Sequence, residues 1–252
     1  MSAPGVLITG AGARVGKALA LALGADGWRV AVHYRHSAEP AQEVVAQIIA
    51  GGGQAAAVQA DLADREAVAS LIPKAMDAIG PIQALINNAS HFEDDRLTDL
   101  SHDLWDTHMD THLRAPVFLA SAFADQLPEN THGAIINLLD QRVRKPNPKF
   151  FSYYLSKAAL NCATLTMAQA LAPRIRVNAV APGPTLRNAR QNQADFDRQV
   201  SATLLGTGSP VEEIVDAVRY LLSAKAVTGQ TLVVDGGQHL LWRTADVEGV
   251  DE

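Results

Sequence analysis

VLITGAGARVG, at residues 6–16, decides the fold of this chain. Its first part, Val6–Ile8, is short, apolar and partly β-branched, as in a buried strand. Three glycines follow at Gly10, Gly12 and Gly16, and apolar residues then recur at helical spacing over 15–23. The stretch therefore predicts a strand, a tight turn and a helix. Glycines in such a turn let the backbone approach a pyrophosphate, to which the new helix offers unpaired N–H groups.

The same alternation of strand and helix patterns continues along the chain. Short apolar runs lie at 29–34, 56–59, 84–86, 134–138, 175–180 and 231–234, and apolar residues at helical spacing occupy 41–49, 67–79 and 158–171. Apolar strands joined by crossover helices build a parallel sheet covered on both faces. The predicted fold is α/β, a doubly wound parallel sheet in a three-layer sandwich of the Rossmann type. We expect residues 1–252 to form a single domain, because the sequence contains no linker, repeat or low-complexity tract.

Composition excludes several classes of protein. Hydrophobic residues make up 48% and charged residues 19%, which is typical of a globular chain with a full core. A net charge of −6, with basic residues dispersed among acids, argues against nucleic-acid binding. No run reaches the roughly 18 apolar residues of a membrane span. The single Cys162 excludes an internal disulfide and predicts a cytoplasmic protein without a metal site.

The end of the second predicted strand bears on cofactor choice. A site selective for NAD carries an acidic residue there for the ribose hydroxyls, but this chain has Tyr34, Arg35, His36 and Ser37. Arg35, helped by Ser37 and by Arg14 of the glycine turn, is suited to hold the 2′-phosphate of NADPH by charge-assisted hydrogen bonds. The alternative is a pair of solvated surface arginines.

Four further motifs carry a family resemblance. Asn87–Ser90 follows the fourth strand, Tyr153–Lys157 lies on a helix, Pro182–Gly183 follows the sixth strand, and Val234–Gly237 lies near the end. Together with the glycine turn they occur in the order found in short-chain dehydrogenases, and they span nearly the whole chain. The chain resembles that family, which implies an NADPH-dependent oxidoreductase and a homotetramer.

The resemblance and the residue pattern together imply a cofactor site at the carboxyl ends of the strands. Asp61 and Leu62 close the third strand and are expected to contact the adenine, although an exposed turn aspartate is an alternative. The expected cofactor-binding residues are Gly10, Arg14, Val15, Gly16, Tyr34, Arg35, His36, Ser37, Asp61, Leu62, Asn88, Ala89, Ser90, Tyr153, Lys157, Pro182, Gly183 and Thr185.

Tyr153 and Lys157 form the predicted catalytic pair. They are four residues apart, so on a helix their side chains are neighbours. A phenol with a pKa of about 10 is a poor acid at neutral pH, and we expect the adjacent ammonium to lower the pKa of Tyr153. The resemblance implies that Tyr153 exchanges the proton and that Lys157 binds the nicotinamide ribose. For a bare pair at this spacing, the alternative is a surface contact.

Asp140 departs from the usual family pattern, which has a serine that holds a substrate carbonyl oxygen. An ionised aspartate would repel a developing oxyanion, whereas a carboxyl hydrogen-bonded to Tyr153 can relay a proton to a ring nitrogen. Pteridine reductases have aspartate here, so the resemblance narrows to that group. The alternative is that Asp140 is a solvated loop residue.

Other residues match pteridine reductases as well. Arg14 replaces a glycine of the family's cofactor turn, and Phe92 aligns with the phenylalanine that sandwiches a pterin against the nicotinamide. The alternatives are an exposed residue at a helix start and a core phenylalanine. The resemblance implies hydride transfer to a ring C=N of a 7,8-dihydropterin, such as dihydromonapterin or dihydrobiopterin, or of dihydrofolate. The expected substrate-binding residues are Arg14, Ser90, Phe92, Asp140, Phe150 and Tyr153.

His112 is a second departure, because the family usually has an asparagine here that ties a water chain to the lysine. A histidine has a pKa near neutrality and is suited to carry that proton traffic, so we predict a catalytic role. A buried, hydrogen-bonded structural histidine is the alternative. Bacterial dihydromonapterin reductases resemble this chain at His112 and over residues 227–240.

Three other functions stay open from the sequence. One is a short-chain carbonyl or 3-oxoacyl-thioester reductase, which Asp140 disfavours. Another is a non-catalytic NADPH-binding regulatory protein, which the intact Tyr153 and Lys157 disfavour. The third is a reductase of some other cyclic imine, because the predicted substrate loop, 185–201, adds no residues to those that carry the resemblance.

Overall fold

A computed structural model of the chain describes residues 3–188, 190–244 and 247–248. Seven parallel strands form one sheet in the order β3-β2-β1-β4-β5-β6-β7. The strands are β1 Gly5–Ile8, β2 Arg29–Tyr34, β3 Gln54–Gln59, β4 Ala84–Asn87, β5 Gly133–Leu138, β6 Ile175–Pro182 and β7 Thr231–Val234. The predicted doubly wound parallel sheet is confirmed.

Helices cover both faces of the sheet. They are α1 Arg14–Ala25, α2 Ala38–Ala50, α3 Arg65–Ile79, α4 His102–Met109, α5 Ala115–Gln126, α6 Phe151–Leu171, α7 Gln193–Ser201 and α8 Val211–Ser223. A π-helical turn, Asp110–Arg114, joins α4 to α5, and 3₁₀ turns lie at Gln141–Val143 and Gln238–Leu240. Within the described ranges, no helix is long and apolar enough to cross a membrane.

Alternating strand residues build the two core layers. In β1, Val6 and Ile8 pack with buried residues of α1, α2 and α8, whereas Leu7 packs on the other face with residues of α3 and α5. Successive strand side chains point to opposite faces, so a fully apolar strand serves both layers. This burial on both faces is the physical reason for the continuous apolar runs in the sequence.

The strand order reverses beside β1, and this reversal determines where a ligand site can form. The chain adds β2 and β3 on one side of β1 and then returns to pair β4 on its other side. Loops leaving β1 and β4 therefore diverge and open a crevice at the carboxyl ends of the strands, where ligands bind in such sheets.

One stretch differs from its prediction. The sequence predicts a substrate loop over 185–201, but α7 begins at Gln193. The Asn192 side chain caps this helix by accepting a hydrogen bond from the backbone N–H of Asp195 at 2.8 Å. No residue of α7 is buried, and only Ala194, Phe196 and Val200 of its nine residues are apolar, so the helix leaves little apolar signal in the sequence.

Candidate active site

A cleft of about 1200 Å³ opens at the crevice beside β1 and extends to the 3₁₀ turns. It is lined by most of the residues expected to bind cofactor and by all six expected to bind substrate. Tyr34, His36 and Ser37 are not among the lining residues. Tyr34 packs against the core instead, so only Arg35 of this segment faces the cleft.

The glycine turn has the close packing that a pyrophosphate site needs. Gly10 has a φ of +64°, and a Cβ there would lie 2.9 Å from the Cα of Ala89. A Cβ at Gly16 would collide with the Gly10 carbonyl oxygen and lie 2.6 Å from Asn88 Nδ2. The N-cap residue of α1, Ala13, has no side chain to cap the first turn, which leaves its N–H groups for an anion. These features fit a dinucleotide.

His33 supports this turn and was not predicted. Its Nδ1 accepts a hydrogen bond from the Gly10 backbone N–H at 2.9 Å, so its Nε2 donates to the Ala60 carbonyl oxygen at 3.1 Å. Burial lowers the pKa of His33 to about 4, and the ring is therefore neutral at pH 7. Its place inside an apolar strand was the signal for a structural role.

Arg35 and Asp61 flank the adenosine end of the cleft. Arg35 is exposed and forms no ion pair with any residue in the described parts of the chain. Asp61 Oδ1 accepts a hydrogen bond from the Ala63 N–H at 3.0 Å, as in an ordinary turn, and it also lines the cleft. An unpaired guanidinium at this end is suited to a 2′-phosphate.

Asp140 lies where the sequence predicts it, against the tyrosine. The Tyr153 hydroxyl donates to Asp140 Oδ2 at 3.2 Å. Asp140 Oδ2 also accepts from Arg142 Nη1 at 3.0 Å, and Oδ1 accepts from the Arg142 backbone N–H at 2.8 Å. Arg142, which sequence reasoning missed, therefore holds the carboxyl in one orientation. Its place two residues after Asp140 was the available signal.

The expected lowering of the Tyr153 pKa is not found, because burial and Asp140 outweigh any effect of Lys157. The pKa of Tyr153 is raised well above 10.0, first because burial penalises the phenolate and then because Asp140 is negative. Lys157 Nζ donates to the Leu138 carbonyl oxygen at 2.7 Å and lies 5.9 Å from the Tyr153 ring centre. Burial lowers the pKa of Lys157 to about 8. Tyr153 thus holds its proton at neutral pH.

Aromatic rings form one wall of the substrate end. Phe92 stacks on Phe150 with ring centres 4.3 Å apart and planes 6° apart. Phe92 also meets Tyr153 edge to face, with ring centres 4.8 Å apart. Phe150, the N-cap residue of α6, has a φ of +55°, which is strained for a residue other than glycine. The predicted role of Phe92 as a flat surface for substrate stays a prediction.

Two arginines border the Phe92–Phe150 pair, and neither was predicted. The Arg142 guanidinium lies 5.4 Å from one ring centre and 5.1 Å from the other, which places it beside the stack rather than over a face. Arg190 lies at 5.5 Å and 5.9 Å and donates to the Phe92 carbonyl oxygen. Arg190 thus ties the predicted substrate loop to the aromatic wall.

Arg14 makes a second tie to the substrate loop. Its guanidinium donates to the carbonyl oxygens of Leu186 at 2.8 Å and Arg187 at 3.0 Å. Arg14 has a φ of +52°, a left-handed conformation that glycine adopts without strain. Non-glycine residues persist in such conformations mainly at functional sites. The strain thus favours a functional role for this arginine at the cleft mouth.

We expect Arg14→Gly to separate stability from activity. Glycine relieves the backbone strain, which offsets the loss of the two loop hydrogen bonds and the greater freedom of the unfolded chain, so the free energy of unfolding should change by less than about 1 kcal/mol. Loss of two charge-assisted hydrogen bonds to the loop should lower kcat/KM for substrate by about 10- to 100-fold. Thermal unfolding and steady-state kinetics measure both. Arg65→Gly is the control, because Arg65 also begins a helix, is exposed and lacks a positive φ. A fully active Arg14→Gly protein, or one as strongly destabilised as a protein that has lost its fold, would contradict this view.

His112 lies behind Tyr153 and does not line the cleft. Its Nε2 accepts from the His91 backbone N–H at 3.0 Å, which assigns the proton to Nδ1, 2.9 Å from Ser156 Oγ. Burial, and then the nearby Lys157, lower its pKa well below 6.5. Of the two roles open from the sequence, this geometry supports a structural histidine that braces the segment after β4 against α6.

Comparison with known proteins identifies the family. A family model described as enoyl-(acyl carrier protein) reductase matches residues 10–239. The chain belongs to the short-chain dehydrogenase/reductase family. A 3-oxoacyl-[acyl-carrier-protein] reductase of Synechocystis sp. is 36% identical and covers 94% of this chain and 97% of its own. The dihydromonapterin reductase of Shigella boydii is 32% identical, and the match covers 93% of this chain and 96% of that reductase.

Solved structures of short-chain reductases superpose closely. The FolM alternative dihydrofolate reductase 1 of Brucella canis, complexed with NADP, has a TM-score of 0.95 and 47% identity, and 98% of each chain is covered. The Brucella suis counterpart, also in complex with NADP, has a TM-score of 0.94 and 47% identity, with 98% of this chain and all of the other covered. The predicted fold, family and oxidoreductase class are confirmed, and the NADP in both neighbours agrees with the predicted cofactor.

Proposed function

We propose that this protein is an NADPH-dependent pterin reductase that acts on a 7,8-dihydropterin, with dihydrofolate as a further substrate. The observation that carries the proposal is the Asp140 carboxyl, hydrogen-bonded to the Tyr153 hydroxyl beside the stacked Phe92 and Phe150 rings. Similarity to an alternative dihydrofolate reductase and to a dihydromonapterin reductase supports it.

Different residues of the chain bind different parts of the cofactor and of the substrate. The glycine turn and the first turn of α1 receive the pyrophosphate, Arg35 receives the 2′-phosphate, and Lys157 receives the nicotinamide ribose. When bound, NADPH supplies the hydride for a carbon of the substrate C=N bond. Phe92 and Phe150 orient a flat heterocycle, which contributes to rate by holding the reacting atoms near contact.

Proton delivery follows from the state of Tyr153. The phenol holds its proton at Oη, and Asp140 and Arg142 fix the direction of that hydroxyl. The nitrogen next to the reduced carbon takes one proton from the Tyr153 hydroxyl, which Asp140 orients. Lys157, with a pKa of about 8, is mostly charged at neutral pH and offsets the negative charge that proton loss leaves on Tyr153.

A substrate panel tests the proposal. Oxidation of NADPH by the purified protein is followed with a dihydropterin, dihydrofolate, a 3-oxoacyl thioester and a simple ketone. We expect kcat/KM for the dihydropterin to exceed that for the thioester and the ketone by about tenfold or more, because one well-placed charge-assisted hydrogen bond gives that much discrimination. Turnover of the thioester alone would contradict the proposal.

A 3-oxoacyl-thioester reductase is the second candidate, because a 36% identical relative carries that name. The site disfavours it. Asp140 and Arg142 form an ion pair where a ketone oxygen needs a neutral hydroxyl donor, and the carboxylate would repel the developing oxyanion.

We expect Arg35→Ala to weaken NADPH binding selectively. Loss of a guanidinium partner to a phosphate costs about 1.5–3 kcal/mol, so the Kd for NADPH should rise about 10- to 100-fold. The Kd for NADH, which lacks the 2′-phosphate, should change less than about twofold. Fluorescence titration with each nucleotide measures both. Equal weakening of the two would show that the 2′-phosphate is held elsewhere.

We also propose that the protein is a homotetramer, as the family resemblance implies. Phe118 on α5 is 62% exposed and Leu165 on α6 is 50% exposed. Large apolar side chains on the outer faces of these helices suit contact with a second copy.

A further inference from the structure

The segment after β4 is joined to the start of α6 by backbone hydrogen bonds. The N–H of Phe150 donates to Asp94 Oδ1 at 2.8 Å, the N–H of Phe151 to the Asp95 carbonyl oxygen at 3.3 Å, and the N–H of Ser152 to Asp95 Oδ1 at 3.0 Å. The first N–H groups of a helix have no partner within it. Two consecutive aspartates from a distant segment thus supply the cap of α6.

Asp95 carries a second, buried connection. It is 6% exposed, and its Oδ2 accepts a hydrogen bond from the Ser152 hydroxyl. Because that hydroxyl gives its proton to Asp95, Ser152 Oγ accepts from His108 Nδ1, which lies 2.7 Å away. His108 is fully buried, and burial lowers its pKa to about 4, so this neutral ring carries its proton on Nδ1.

The cluster of Asp95, Ser152 and His108 connects two elements of the substrate site. Phe92 lies three residues before Asp95, and Tyr153 directly follows Ser152. Asp95 therefore joins the segment that carries the stacking ring to the helix that carries the proton donor. Asp95, Ser152 and His108 do not line the cleft, so they act on a substrate only by placing Phe92 and Tyr153. A misplacement of about 1 Å far from the reacting atoms can cost about 10²-fold in rate.

We infer that Asp95 is a positioning residue of the reductase: its buried carboxylate, linked through Ser152 to His108, fixes the Phe92 ring relative to the Tyr153 hydroxyl. The inference rests on the proposed function, because it takes Phe92 to stack on substrate and Tyr153 to hold the transferred proton. Loss of the Asp95 carboxylate should therefore lower turnover without weakening cofactor binding.

Asp95→Asn is the decisive variant. One amide oxygen can still accept the Ser152 N–H, but the amide NH₂ donates to Ser152 Oγ and turns that hydroxyl toward His108. We expect kcat for a dihydropterin to fall about 10- to 100-fold, with the Kd for NADPH within about twofold of wild type. Asp64→Asn is the matched control, since Asp64 also caps a helix, α3, with its side chain, keeps an acceptor oxygen as asparagine and does not line the cleft, so its kcat should change less than about twofold.

A spectroscopic readout separates positioning from a loss of folded protein. In wild type, ¹⁵N NMR should show the His108 proton on Nδ1, and in Asp95→Asn it should move to Nε2. Ser152→Ala is a second test: it keeps the backbone bond and removes the link to His108, so kcat should fall about fivefold even if Asp95→Asn does not fold.

Each outcome decides one question. Unchanged kcat in Asp95→Asn or in Ser152→Ala overturns the inference, and so does a His108 proton that stays on Nδ1 in Asp95→Asn. A wild-type protein that turns over no dihydropterin contradicts the proposed function instead, while the NMR measurement still tests the hydrogen-bonded cluster.

Discussion

Tyr153→Phe is expected to lower kcat for dihydropterin reduction by about 10²- to 10⁴-fold, the usual range for loss of a general acid. The buried hydroxyl has a pKa raised well above 10.0 and donates to Asp140, so it is a proton source at every pH of a normal assay. Phenylalanine keeps the ring and its edge-to-face contact with Phe92. The Kd for NADPH should therefore stay within about twofold of wild type.

Tyr154→Phe is the control for this change. Tyr154 lies next in the same helix but does not line the cleft, so its loss of a hydroxyl should leave kcat unchanged. Single-turnover kinetics with saturating NADPH measures the chemical step for both variants. If Tyr153→Phe kept most of the wild-type rate, the proton would come from another group.

Asp140→Ser should convert the site toward the usual family pattern. We expect kcat/KM for a dihydropterin to fall about 10²-fold, because the carboxyl that directs the Tyr153 proton is lost. Activity toward simple ketones should rise, because a serine hydroxyl can donate to a carbonyl oxygen. The Kd for NADPH should not change by more than about twofold. Parallel titrations with both substrates and with NADPH measure all three quantities.

Arg142→Met separates the effect of the Asp140 carboxyl on turnover from the effect of its ion pair with Arg142. This variant removes the guanidinium that binds Asp140 at 3.0 Å but leaves the bond between Asp140 and Tyr153. It should reduce dihydropterin turnover less than Asp140→Ser does, without a gain in ketone activity. Equal dihydropterin activity in wild type and Asp140→Ser would remove the aspartate from the mechanism.

Strands were predictable because each one is a short run of apolar residues in the local sequence. The limits predicted for β2 and β7 coincide with the observed ones, and every residue of β1, β4 and β5 is buried. Helix α7 was not predictable by the same rule. It is nine residues long and only three of these are apolar, so its apolar spacing is too short to distinguish a helix from a loop.

The motif residues of the site were predictable because they follow strands or share a helix turn. The residues that were missed depend on contacts between distant parts of the chain. Arg190 reaches Phe92 across 98 residues, and Asp95 reaches Ser152 across 57. Such long-range contacts leave no pattern in the local sequence.

The Tyr153–Lys157 pair shows a different limit of prediction from the sequence. The spacing correctly predicted neighbouring side chains on one helix, and both side chains are buried. The sign of the pKa shift depends on how much burial penalises the phenolate and on the nearby Asp140, both of which come from tertiary structure.

A competition with deuterated cofactor tests the central claim most directly. The protein is given NADPH labelled at C4 and equal amounts of a 7,8-dihydropterin and a 3-oxoacyl thioester, and mass spectrometry follows both products. The account predicts deuterium mainly on the ring carbon next to N5 of the tetrahydropterin. Deuterium mainly on the hydroxyl-bearing carbon of the thioester product would contradict it.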